Sequence, residues 1–124
     1  RGTDVSHVIY GKGSHELTYR QTRDMIAARE HISGIFVSGA GLAGAAQAVE
    51  DAGLAGQIKM VGFDVTDSNA AFLRKGIVQF LIDQGPYAQG YRSLQLLTDA
   101  IFQDKPVAVP YFDTGIQIKN LYNC

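Results

Sequence analysis

Gly34-Ile35-Phe36-Val37-Ser38-Gly39-Ala40-Gly41-Leu42-Ala43-Gly44 opens the stretch that decides the fold, and Lys59-Met60-Val61-Gly62-Phe63-Asp64 closes it. The apolar run Ile35 to Val37 stops at glycines. An amphipathic run follows, with Leu42, Ala45, Ala46 and Val49 at helical spacing. A second apolar run then ends at Phe63 and Asp64. This pattern predicts strand, helix, strand, with a carboxylate at the carboxyl end of the second strand. In a parallel sheet that edge is where ligands bind. Two chemistries compete for it: a loop for nucleotide phosphates, and one half of a small-molecule cleft.

Working outward, residues 5–10 (Val-Ser-His-Val-Ile-Tyr) read as an earlier strand, being β-branched and aromatic. Gly11-Lys12-Gly13-Ser14 breaks it. Ser14 is placed to cap a helix over His15 to Glu30, with Glu16 in its first turn. The central helix is expected over Gly41 to Asp51, with Gly53 at its C-terminal stop. After Asp64, the residues Thr66, Asp67 and Ser68 are N-cap candidates for a short helix that ends at Gly76. Val78 to Ile82 reads as a strand. Asp83-Gln84-Gly85-Pro86 then opens a long helix, with proline near its first position, where a missing N–H costs little. Tyr87, Tyr91, Leu94, Leu97 and Ile101 form an apolar stripe along it. Pro106 and Pro110 bracket a linker, and Tyr111 to Ile118 reads as a closing strand. Strands alternating with helices predict an α/β fold: a parallel sheet flanked by helices in three layers.

Composition narrows the function classes. The 124 residues suit one domain, with 46% hydrophobic and 19% charged side chains. Eleven basic and twelve acidic residues give a net charge of −1 without a basic run, so this segment itself carries no sign of nucleic-acid binding. No apolar stretch reaches the roughly 20 residues of a membrane span. Cys124 is the only cysteine, so no disulfide forms within the chain, an arrangement that fits a reducing compartment.

Gly39-Ala40-Gly41-Leu42-Ala43-Gly44 is a G-x-G-x-x-G between a predicted strand and helix, and Asp64 follows about 20 residues later. That is the context of a dinucleotide fingerprint. Its placement differs from the usual one, because a strand and a helix precede it. The alternative is that these small residues let a helix pack closely. Gly11-Lys12-Gly13-Ser14 lacks the spacing of a phosphate loop. Asp64 can accept charge-assisted hydrogen bonds from ligand hydroxyls, or it can cap the helix beginning near Thr66. Gln84 offers a donor and an acceptor beside each other, useful for a vicinal diol, or it is a solvated turn residue. His7, His15 and His31 have no metal-like spacing, and no G-x-S-x-G nucleophile turn is present. No catalytic constellation is indicated, no cofactor is assigned, and the glycine fingerprint is the one feature that points towards one.

Val61-Gly62-Phe63-Asp64, followed by Gln84-Gly85-Pro86 before a long helix, resembles the C-terminal half of the ligand-binding domain of LacI-type transcriptional regulators. That domain shares its fold with the periplasmic sugar-binding proteins. The resemblance implies one lobe of a two-lobed protein, with a sugar or sugar-like effector between the lobes. Asp64 and Gln84 match positions that bind sugar hydroxyls. Many members carry an Asn-Asp pair where this chain has Gly39-Ala40, which leaves Ser38 and Gly39 as the candidate contacts there. The resemblance further implies a homodimer in the cytoplasm, with no membrane partner and with DNA bound only through a domain absent from this chain. The long helix, residues 85–104, would pack on the missing N-terminal lobe. A periplasmic sugar-binding protein of a transporter is the alternative, and a fragment of an NAD-dependent oxidoreductase is a more distant one.

Overall fold

The computed structural model describes residues 7–28, 31–107 and 112–124. Ser14 starts α1 (His15–Ala28): its Oγ accepts the Leu17 amide at 3.2 Å, and Glu16 lies in the first turn. The end expected at Glu30 lies outside the described residues. Strands β1 (Gly34–Val37), β2 (Lys59–Phe63) and β3 (Phe80–Asp83) run parallel. Strand β4 (Gln117–Lys119) pairs antiparallel with β3, and the sheet order is β1-β2-β3-β4. Helix α2 (Leu42–Asp51) joins β1 to β2, α3 (Asp67–Arg74) joins β2 to β3, and α4 (Pro86–Phe102) leaves β3. The expected class, an α/β sheet flanked by helices, is what the chain forms, with the difference that its closing strand β4 runs antiparallel in a sheet expected to be parallel.

The two sheet faces separate by the period of two that strands impose. Val37, Gly62 and Leu81 stand side by side across the first three strands, as do Ile35 and Met60. On that face Met60 and Leu81 are fully buried with Leu42, Val49, Leu73 and Val78, beneath α2 and α3. A Cβ on Gly62 would come within 2.6 Å of Leu42, so glycine makes room for the first turn of α2. Phe36, Val61 and Phe80 line up on the opposite face, where Phe36 and Phe80 are exposed.

Helix α1 is polar, and only Thr18 and Thr22 are buried on it. It is held by close approach to α2. A Cβ on Gly44 would run into the His15 carbonyl oxygen and reach within 3.2 Å of the Tyr19 nitrogen. At the rim, His15 Nε2 pairs with Gln47 Oε1 at 3.0 Å and the Tyr19 hydroxyl donates to Asp51 at 2.9 Å. The bond to Asp51 raises the Tyr19 pKa above its ordinary 10.0.

Three sequence expectations shift. Residues 7–10 form no strand, and Val5 and Ser6 lie outside the described residues. β-propensity expresses fit to a paired, half-buried surface, and Val8 and Tyr10 are exposed instead. The strand read over 78–82 begins at Phe80. Ile77 and Val78 both donate their amides back to the Phe72 carbonyl and are buried as a plug beneath α3. The closing strand is shorter than expected, and Tyr111 lies outside the described residues. Gly115, at φ 71, turns the chain just before it, and its amide donates to Asp113 at 2.7 Å.

Thr66 is the cap of α3, in extended conformation, with its Oγ1 accepting the Asn69 amide at 3.2 Å. Thr66→Ala should therefore cost about 1 kcal/mol. The check is a lower urea midpoint with an unchanged slope.

Candidate functional site

The carboxyl ends of β1, β2 and β3 meet at one edge, as parallel pairing requires. Asp64 follows β2 and Gln84 follows β3 at that edge. The structure joins them: Gln84 Nε2 donates to Asp64 Oδ1 at 3.1 Å. Ser38 and Gly39 leave β1 at the same edge, both exposed. They are not among the residues lining the concavity beside Asp64.

Asp64 is not a helix cap, since Thr66 takes that place. Its backbone has φ 67, the left-handed region that aspartate and asparagine tolerate better than most residues. Its amide donates to the Ile82 carbonyl at 3.0 Å, which ties it to β3. Gln84 is equally held. Its carbonyl accepts from Gln89 Nε2 at 2.8 Å and from the Thr114 hydroxyl at 3.3 Å. Gly85 follows at φ 65, and its amide donates to Asp83 at 3.1 Å, before Pro86 opens α4. Thus the half-buried Gln84 is braced from α4 and from the segment before β4, rather than being a loose turn residue.

Beside Asp64 lies a concavity of about 720 Å³, open to solvent, lined by Asp64, Thr66, Asp83, Tyr87, Lys119 and neighbours, though not by Gln84. A smaller one of about 300 Å³ sits at the opposite, amino ends of the strands, against Ile26, His31, Ser33 and Ile58. The first adjoins the Asp64 carboxylate, whereas the second is lined by His31, Ser33 and Gln57 among apolar residues. The Asp64 carboxylate has acceptor capacity beyond the Gln84 bond, and the Gln84 amide has a second N–H and an oxygen. Adjacent acceptors and donors of this kind suit neighbouring hydroxyls.

Two of the three G-x-G-x-x-G glycines, Gly41 and Gly44, serve packing, whereas a Cβ on Gly39 would meet nothing within 4 Å. Gly41 caps α2 at φ 110, and a Cβ there would press on Thr18 of α1, as one on Gly44 would on His15. Among the described residues no group of three His, Cys, Asp or Glu side chains is placed to hold a metal. No described helix is long and apolar enough to cross a membrane.

The periplasmic binding protein domain family matches residues 2–105. The chain belongs to that family. No curated protein sequence matches it. Similar solved structures include an ABC transporter solute-binding protein from Agrobacterium vitis with bound D-fucose. It has 25% identity and a TM-score of 0.86, over 94% of this chain and 40% of that one. A carbohydrate transporter solute-binding protein from Agrobacterium radiobacter, in complex with D-arabinose, has 28% identity and a TM-score of 0.82, over 92% and 38%. A sugar-binding protein of a Bacillus halodurans sugar ABC transporter has 27% identity and a TM-score of 0.82, over 97% and 44%. The chain therefore spans about two fifths of their length. The broader half of the sequence resemblance, the periplasmic-binding-protein fold, stands. These similar structures are transport proteins, and the narrower regulator assignment is not carried by them.

Proposed function

We propose that this periplasmic binding protein domain is the C-terminal lobe of a transporter's sugar-binding protein, and that Asp64 and Gln84 hold ligand hydroxyls. The observation that carries the reading is the Asp64–Gln84 hydrogen bond at the carboxyl edge of the sheet. It lies in a family whose similar members were solved with D-fucose and D-arabinose. Ser38 and Gly39 are secondary contacts at the same edge. Binding works by population shift: a ligand that bridges two lobes favours the closed arrangement in proportion to its extra contacts there. No chemical step, cofactor or metal enters this reading. It replaces the regulator in the cytoplasm, with its homodimer and DNA-binding domain, by the alternative of a periplasmic protein.

Calorimetric titration of the intact protein with D-fucose, D-arabinose and NAD tests it. Micromolar binding of a sugar and none of NAD is expected. NAD binding abolished by Gly41→Val would overturn it in favour of the oxidoreductase reading. The intact N-terminus separates transport protein from regulator, through a secretion signal in one case and a helix-turn-helix in the other.

Helix α4 supports the two-lobed arrangement. Tyr87, Tyr91, Leu94, Leu97 and Ile101 are all more than half exposed, and no residue of α4 is buried. So broad an apolar stripe marks an interaction surface, which the N-terminal lobe of a longer polypeptide would cover. The double substitution Leu94→Glu and Leu97→Glu should leave the thermal midpoint of the 124-residue chain nearly unchanged. In the intact protein it should destabilise by about 3 kcal/mol or more, from lost burial of two leucines. Equal effects in the two settings would rule out coverage by another lobe.

A further inference from the structure

Asp64 sits in the left-handed region, and the side chain that holds its carbonyl there is that of Asn69. Asn69, in the first turns of α3, is 8% exposed. Its Nδ2 donates to the Phe63 carbonyl at 3.2 Å and to the Asp64 carbonyl at 2.9 Å. Its own backbone amide is used separately, on the Thr66 cap. Asp64 is therefore gripped on both sides, its N–H by Ile82 of β3 and its C=O by Asn69. Between these two ties φ is 67. The left-handed residue turns the chain off β2 while the carboxylate stays at the sheet edge, within reach of Gln84. An asparagine at this point of a helix is otherwise an unhelpful choice, since its side chain competes for backbone groups. Here that competition is what fixes the geometry.

We propose that Asn69 is a positioning residue for ligand binding: its buried amide locks Asp64 in the left-handed conformation and so aims the carboxylate at the ligand. The inference deepens the sugar-binding reading and rests on it for its effect on affinity; the effect on Asp64 geometry is independent of it. Without Nδ2, two carbonyls lose their donor and Asp64 is free to relax towards the extended region. The carboxylate then leaves Gln84, although every ligand-contacting side chain is still present.

The test uses Asn69→Ala and Asn69→Asp in the intact protein. The aspartate variant keeps the shape and the Thr66 cap but supplies no donor, and it stands in should the alanine variant fail to fold. Crystal structures of the variants are expected to show Asp64 outside the left-handed region, with its carboxylate beyond hydrogen-bond range of Gln84. Asp64 remaining near φ 67 and bonded to Gln84 in both variants would overturn the inference, whether or not any sugar binds. Affinity for D-arabinose or D-fucose should fall about tenfold, the scale of one buried hydrogen bond. In an Asp64→Gly background, where no carboxylate remains to be aimed, Asn69→Ala should cost nothing further. Equal losses in both backgrounds would make Asn69 merely structural and defeat the proposal. If the intact protein binds neither sugar, or Asp64→Gly binds as the parent does, the functional reading fails, and the crystal structures still decide the role of Asn69.

Discussion

Gly44→Val is expected to destabilise the chain by about 3 kcal/mol, at the upper end of overpacking effects. The reason is that the obstacle is backbone. A Cβ at Gly44 runs into the His15 carbonyl oxygen and lies 3.1 Å from its carbon, and neither can swing aside as a side-chain tip can. Relief requires α1 to move off α2. That would uncover Thr18 and Thr22 and break the rim contacts of His15 with Gln47 and of Tyr19 with Asp51. Helix α1 has few apolar contacts to hold it once displaced. Paired alanine substitutions give the sharper check. Alanine favours a helix over glycine by about 1 kcal/mol, so Gly90→Ala in α4, where a Cβ meets nothing within 4 Å, should stabilise. Gly44→Ala should destabilise despite the same propensity gain. Urea titration of both reads the sign directly, and a stabilising Gly44→Ala would refute the close-packing account.

Removing the Asp64 carboxylate should weaken sugar binding by about 1.5–3 kcal/mol, roughly ten- to hundredfold. Asp64→Gly is a cleaner deletion than alanine, because glycine takes the positive φ without strain. Gln84→Ala should cost a comparable amount, since the same amide both orients Asp64 and presents its own donor and acceptor. The two losses should be less than additive, as expected of contacting groups in one network. Calorimetry on the intact protein measures all three variants. Unchanged affinity in both single variants would show that the sheet edge holding Asp64 and Gln84 is not the ligand site.

Particular residues show how far the sequence reached. The strand-helix-strand unit from Gly34 to Asp64 was readable because burial there is periodic: Leu42, Ala45, Ala46 and Val49 repeat at helical spacing and all prove buried. Ser14, Gly53, Gly76 and Pro86 punctuate where their local chemistry demands, and the helices begin or end beside them. Asp64 was legible as a candidate because it closes a predicted strand, whereas Gln84, readable locally as a solvated turn residue, was singled out by the family resemblance. Residues 7–10 misled because strand composition does not supply a pairing partner. Asn69 gave no signal: an asparagine after a Thr cap looks like surface, and its targets are carbonyls that carry no sequence mark.

By itself, then, the sequence determined the element types and their alternation from Gly34 onward, and it marked one edge of the sheet as the candidate for a polar ligand. These follow from interactions between near neighbours along the chain, which periodicity and turn chemistry encode. The tertiary structure alone decided that Gly41 and Gly44 seat one helix against another. It alone decided that Asp64 is left-handed and bonded to Gln84, and that no residue of the stripe on α4 is buried. Each of these depends on groups from separate elements meeting in space, and on the room left between them, which no local pattern of residues records.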